Sequence, residues 1–181
     1  MIHSSMSQGA DVRLLEERDV MELYALIDRN RDHLREWLAI GESVKSWMDV
    51  MRLVQLSRQQ MSANQGGQYV ILSEGKLAGM ISYHFMGWEN RSTTIGYWLG
   101  RECTGRGLMT DATRKLCDLA FDRYKLNRVE IRVATGNEKS QAVPERLGFT
   151  REGVMRQGEW LHDHYNDLII YSMLASEWKK S

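Results

Sequence analysis

The sequence predicts a single α/β domain of the α+β kind, built around one parallel βαβ unit with antiparallel hairpins on either side. Three observations predict it. Two strand-like runs flank Glu74 and Gly75, a strand, glycine loop, helix, strand order spans residues 93–134, and two further strand-like runs close the chain. A length of 181 residues suits one well-packed core and is short for two.

Composition narrows the function. Hydrophobic residues make 43% and charged residues 27%, which is globular rather than disordered usage. Lys plus Arg total 24 and Asp plus Glu total 24, so no global positive field draws the chain to nucleic acid or an anionic membrane. Residues 1–10, with Ser4, Ser5, Ser7 and Gly9, lack the basic start and apolar stretch of a secretory signal and read as a flexible tail before a domain over 11–181. No apolar run approaches the ~20 residues that span a bilayer. The expected location is the cytoplasm, where Cys103 and Cys117 stay free thiols.

Val12 to Leu15 form an opening strand, and Asp19 with Glu22 has the spacing of a helix cap. Val20, Leu23, Tyr24, Leu26 and Ile27 then share a helical face that ends at Asn30. Trp37 and Leu38 close a short helical piece. Ser46 with Asp49 opens a longer helix whose stripe of Trp47, Met48, Met51, Val54 and Leu56 packs over the sheet or lines a substrate groove. Gln65 to Gly67 break it, Tyr69–Leu72 and Leu77–Phe85 make a hairpin, and Asn90 with Arg91 turns into the alternating strand Thr93–Leu99. Met109, Ala112, Leu116, Leu119 and Ala120 give a helix to about Tyr124, and Val129, Ile131 and Val133 give the strand parallel to Thr93–Leu99. A helix Gln141–Leu147 stops at Gly148. The strands Arg151–Gln157 and Tyr165–Leu174, joined by a polar hairpin loop, complete the chain.

Between strand and helix lies Gly105-Arg106-Gly107-Leu108-Met109-Thr110. Glycines there let the backbone turn sharply and approach a ligand, and the free N–H groups of the helix start suit a pyrophosphate. Arg106 either adds a phosphate contact or is a solvated loop charge. No Gly-Lys-Ser/Thr follows, and Thr110 occupies the last glycine position of a dinucleotide fingerprint, so nucleoside triphosphates and dinucleotides are disfavoured.

Ile95-Gly96-Tyr97-Trp98-Leu99 followed by Gly105-Arg106-Gly107 resembles the acetyl-CoA loop of the GNAT acetyltransferases. Asn137-Glu138-Lys139-Ser140-Gln141-Ala142 and Leu147-Gly148-Phe149 resemble that superfamily's second cofactor motif. The combined pattern, from about Val12 to Trp178, resembles the RimL type of ribosomal-protein N-terminal acetyltransferase and its relatives. One departure is Glu102, where the superfamily often has Gln or Arg.

The resemblance implies a mixed, mostly antiparallel sheet, splayed at the parallel pair and with helices on both faces. It also implies acetyl-CoA as cofactor. Its pantetheine arm would lie against the backbone of Trp98 and Leu99 and meet Asn137. The turn comprising Gly105, Arg106, Gly107, Leu108, Met109 and Thr110 would hold its pyrophosphate. Acetyl transfer requires a neutral amine and a proton for the departing thiolate. Glu159 matches the family's proposed general base, and the adjoining Trp160 is placed to raise its pKa by restricting water. The alternative is an ordinary strand glutamate beside Arg156. Ser140 matches the proposed general acid, yet it is equally a helix N-cap for Gln141, with Pro144 near the helix start. His162 and His164 flank Asp163 in the expected loop and are assigned no metal. Tyr165 and Tyr171 are assigned to packing.

The implied acceptor is a protein N-terminus, a ribosomal protein among the candidates. A small amine such as a peptide antibiotic, an aminoglycoside or a polyamine is the alternative, and a non-catalytic acyl-CoA-binding module is a third reading. Trp88 and Trp178 are expected to be exposed and to support self-association as a homo-oligomer.

Overall fold

Strand alternation divides the apolar residues between two cores, one on each face of a single sheet. The computed structural model describes residues 9–178. Its seven strands are β1 (Asp11–Leu14), β2 (Gly67–Ser73), β3 (Lys76–Gly87), β4 (Ser92–Leu99), β5 (Arg128–Ala134), β6 (Thr150–Leu161) and β7 (His164–Leu174). Their spatial order is β1-β2-β3-β4-β5-β7-β6, and only β4 and β5 run parallel. A crossover helix returns the chain in its original direction, as the βαβ order predicts.

Helices α1 (Val20–Arg29), α2 (Arg31–Arg35), α3 (Ile40–Ser43) and α4 (Trp47–Ser62) precede the first hairpin; α5 (Leu108–Asp118) and α6 (Glu138–Arg146) follow β4 and β5. On one face Ile71, Ile81, Tyr83, Ile95 and Ile131 pack with Leu108, Ala112 and Leu116 of α5. On the other, Val70, Leu77 and Met80 pack with Leu23, Leu26 and Ile27 of α1 and with Val50 and Val54 of α4. Each core draws on opposite faces of the same strands, as a period of two requires.

Several local expectations are corrected. Asp19 precedes α1 but does not cap it: its carboxylate accepts from Arg13 at 2.6 and 2.8 Å and from the Glu16 amide at 2.8 Å. Glu22 accepts from the Leu77 amide at 2.9 Å instead. A charged guanidinium within reach makes the stronger bonds. The Ser46–Asp49 capping box of α4 is present, but Trp47, Met48 and Leu56 are exposed, and Val50, Val54 and Ser57 form the buried face. The middle helix ends in a π-helical turn, Leu119–Arg123.

The expected loop between the last two strands is largely strand. β6 runs on to Leu161, leaving a turn of His162 and Asp163. Where the expected strand Arg151–Gln157 ends, the pairing instead shifts register between Met155 and Glu159; Gln157 has φ 50° and its amide donates to Asp167 at 2.7 Å. Trp178 is not an exposed adhesive residue either. It packs on Phe121 and donates to Asp118 at 2.7 Å, whereas Trp88 is exposed.

The expected tail over 1–10 lies outside the described residues except for Gly9 and Ala10. Ala10 is buried, and its amide donates to Asp111 at 2.7 Å. Among the described residues no helix is long and apolar enough to cross a membrane.

Candidate active site

The parallel pair opens partway along its length. Register between β4 and β5 runs from Ser92↔Arg128 to Ile95↔Ile131 and stops, while β5 stays paired with β7 as far as Ala134↔Leu168. The β4 backbone from Gly96 to Leu99 therefore pairs with β3 on one side and with no strand on the other. A groove of about 1570 Å³ occupies this fork.

At one end the groove meets the start of α5. Gly105 and Gly107 have φ of 75° and 76°, in the left-handed region that glycine adopts without strain, and a Cβ at either would find nothing within 4 Å. The first turn-to-helix bond runs from the Asp111 amide to the Gly107 carbonyl at 3.1 Å. The amides of Leu108, Met109 and Thr110 consequently have no acceptor among the described residues, and no side chain caps the helix. Asp111 would oppose an anion here, but its carboxylate is occupied by the Ala10 amide and lies 3.4 Å from Lys115. Glu102 points away from the turn, paired with Arg29 at 2.9 Å.

Free amides, an open glycine turn and an unpaired strand edge are what a pyrophosphate with a peptide-like arm requires, so the residues present fit coenzyme A. Of the residues expected to hold it, Trp98, Leu99, Gly105, Gly107, Leu108, Met109, Thr110 and Asn137 line the groove. Arg106 does not. Its guanidinium lies 3.7 Å from Glu74, and Arg114, nearly two turns into α5, lines the groove instead. The Leu99 carbonyl already has a neighbour, His33 Nε2 at 3.2 Å.

The second motif forms the opposite wall. α6 begins at Glu138, and Asn137 caps it by accepting from the Ser140 amide at 3.2 Å. Ser140 is thus in the first turn and is not the cap, which removes that explanation for its hydroxyl. Pro144 lies inside the helix, contrary to expectation. Having no N–H, it leaves the Ser140 carbonyl without the usual i→i−4 partner. The Tyr97 hydroxyl of β4 supplies one, donating to that carbonyl at 2.8 Å. Burial pushes the Tyr97 phenol well above its ordinary pKa, so the donor keeps its proton. This bond ties the free half of β4 to α6 under the fork.

Glu159 and Ser140 line the same groove, on β6 and α6. Glu159 accepts from Asn166 of β7 at 3.4 Å rather than pairing with Arg156. Trp160 does not shield it: the next residue along a strand faces the other way, and Trp160 is exposed with its ring edge-on to Tyr165, centroids 4.8 Å apart. Tyr171 is buried and donates to Glu145 at 2.9 Å, as a packing residue should.

His162 reaches back to the helical segment, meeting the Arg35 carbonyl and Glu42, each at 2.8 Å, and His164 meets Asp163 at 2.9 Å. Among the described residues no cluster of three or more His, Cys, Asp or Glu could hold a metal ion. Burial raises both cysteine thiols, so neither is a poised thiolate.

A splayed parallel pair, a glycine turn of unpaired amides and a groove lined by Ser140 and Glu159 are the features of an acyl-CoA-dependent acyltransferase. Residues 11–150 match the acetyltransferase (GNAT) domain, and the chain belongs to that family. Over 181 residues it is 40% identical to the putative ribosomal N-acetyltransferase YdaF of Bacillus subtilis (strain 168), covering 99% of this chain and 98% of that protein. Among solved structures, it is similar to the microcin C7 self-immunity acetyltransferase MccE in complex with acetyl-CoA and AMP, at 29% identity and TM-score 0.88, over 91% of this chain and 92% of that one. It is also similar to RimL, a ribosomal L7/L12 alpha-N-protein acetyltransferase in complex with coenzyme A, at 28% identity and TM-score 0.87, over 91% and 93%. The chain is an acetyl-CoA-dependent N-acetyltransferase rather than a non-catalytic module.

Proposed function

We propose that the acceptor is the N-terminal α-amino group of a protein, a ribosomal protein first among them, with Glu159 as general base and Ser140 as proton donor to the departing sulfur. The observation that carries this reading is that Glu159, Ser140 and the free amides of α5 open onto one groove. Likeness to a putative ribosomal N-acetyltransferase along 99% of the chain supports the acceptor class. An α-amine, with a reference pKa of about 8, reaches its nucleophilic form at neutral pH far more readily than a lysine at about 10.4.

Bound acetyl-CoA supplies an acyl carbon joined to a good leaving group. The amides of the Gly105–Thr110 turn, with Arg114, hold its pyrophosphate; the backbone of Trp98 and Leu99 aligns its pantetheine, and Asn137 meets the arm from the end of β5. Glu159, kept in place by Asn166, accepts an amine proton. Ser140, freed from capping, offers its hydroxyl to the sulfur.

A second reading has one observation in its favour. Glu36 and Glu159 both line the groove, and two carboxylates suit a small cationic amine. Labelled acetyl-CoA tests both readings against ribosomal proteins with free or blocked N-termini and a panel of small amines. Label on free N-termini alone is expected. Label confined to small amines would favour the second reading, and equal labelling of blocked and free proteins would exclude the first.

A further inference from the structure

The groove holds an imidazole with no hydrogen-bond partner among the described residues. Among the described histidines, His33, His162 and His164 each have a ring nitrogen engaged by a carbonyl or carboxylate, but neither ring nitrogen of His84 is hydrogen-bonded. His84 is the extra residue of a β-bulge: Tyr83 pairs with Ile95 and Phe85 with Thr94. An inserted residue re-aims the side chains around it. Tyr83 and Met86 stay with the α5 core, while His84 and Phe85 both line the groove.

The ring lies directly on Gly96, where a Cβ would stand 2.2 Å from both Cε1 and Nε2. Gly96 is the first residue past the last β4–β5 pair, so the bulge and the glycine together set the imidazole at the fork. Arg132 of β5 faces it and is itself bonded to Glu130 at 3.0 Å. Glu159 from β6, Glu36 and His33 from the helical segment, Tyr97 from β4, Asp111 and Arg114 from α5, and Glu138, Lys139 and Arg146 from α6 are the other titratable groups that line the groove.

We propose that His84 is the first proton acceptor of the reaction, taking one proton from the incoming ammonium at the fork and passing it to solvent. The inference rests on the acceptor being a primary amine bound in this groove. An ammonium carries three protons and the product amide keeps one, so two must leave. The first passes to a ring nitrogen of His84, and the freed lone pair forms the N–C bond. The second passes to Glu159 as the C–S bond breaks, and the sulfur leaves as a thiol, taking a proton from Ser140 that Glu159 replaces. One proton is released overall, through the solvent-exposed side of His84. Desolvation of the ring face that lies on Gly96, first, and Arg132, second, lower the His84 pKa from the ordinary imidazole value, so the ring is neutral and able to accept at pH 7 while its other side stays open to solvent.

The test is the pH profile of acceptor kcat/KM for His84→Gln, with any amine the parent acetylates. At pH 7 a loss of about 10-fold is expected for an α-amine of pKa about 8, of which only about a tenth is neutral there, narrowing above pH ~8 as the amine deprotonates unaided, with the acetyl-CoA KM unchanged. Gly96→Ala, which displaces the ring, should lower activity in the parent and add nothing to His84→Gln. A profile parallel to the parent's, or a loss equal at all pH values, would overturn the assignment. An NMR titration of the His84 Cε1 proton needs no acceptor: a midpoint below ~6.5 is expected, and one at or above it refutes the proposal. If Glu159→Gln lowers kcat while His84→Gln changes nothing, His84 alone is dismissed; a parent that acetylates no amine overturns both readings.

Discussion

Removing one hydroxyl should separate a cofactor-wall bond from ordinary packing. Tyr97→Phe deletes the donor to the Ser140 carbonyl at 2.8 Å, and Pro144, four residues on, has no N–H to replace it. Leaving a partly buried acceptor unsatisfied costs about 1–2 kcal/mol. Pro144→Ala restores the missing N–H, so the same Tyr97→Phe change in that background should cost less than ~0.5 kcal/mol, a coupling of about 1 kcal/mol. Urea unfolding of the four proteins, at constant m, measures it. The acetyl-CoA KM should rise in Tyr97→Phe and recover in the double variant, because the bond fixes the wall of the fork. Equal costs in both backgrounds would refute the argument that proline creates the need for the tyrosine.

Three other perturbations address separate parts of the molecule. Glu159→Gln should lower kcat by about 100-fold with coenzyme A affinity unchanged, measured by steady-state kinetics and calorimetry; full activity from pH 6 to 9 would remove Glu159 from the chemistry. Gly107→Val forces a β-branched residue to φ 76° at a turn with open space beside it, so it should weaken coenzyme A binding by about 10-fold or more through strain and obstruction. An unchanged titration would contradict the loop assignment.

Glu152 is held at a pKa of about 2 by Arg128 first and Ser172 second. A depressed carboxylate stabilises the fold above its unfolded pKa and loses that contribution as pH falls through the folded value, here between about pH 4.5 and 2. With the side chain 40% exposed, solvent screening reduces the effect to about 1 kcal/mol. Glu152→Gln should flatten the stability profile in that window and lower stability at neutral pH.

The sequence makes the central unit readable because its signals are local and reinforce one another. Ile95, Tyr97 and Leu99 alternate, Gly105 and Gly107 punctuate, and Ala112 and Leu116 repeat at helical spacing. What was hidden depends on partners distant in the chain. Asp19 has the appearance of a cap until Arg13 folds against it. The α4 stripe misleads because a helix uses only the face its neighbours leave, here Val50 and Val54. Gly158 to Leu161 have the composition of a loop after the strand that ends at Gln157, and only pairing with β7 makes them the continuation of that strand past an irregularity between Met155 and Glu159. Pro144 inside α6 is tolerated because Tyr97, 47 positions earlier, satisfies the carbonyl it strands. His84 carries no periodic signal at all, since a bulge breaks the alternation that would have announced its face.

A crystal structure with coenzyme A bound tests the central claim most directly. The pyrophosphate oxygens should lie within hydrogen-bond distance of the amides between Gly105 and Thr110, with the pantetheine paired to the β4 edge at Trp98 and Leu99 and the sulfur facing Ser140 and Glu159. Coenzyme A bound elsewhere, with those amides on water and the fork closed by strand pairing, would contradict it.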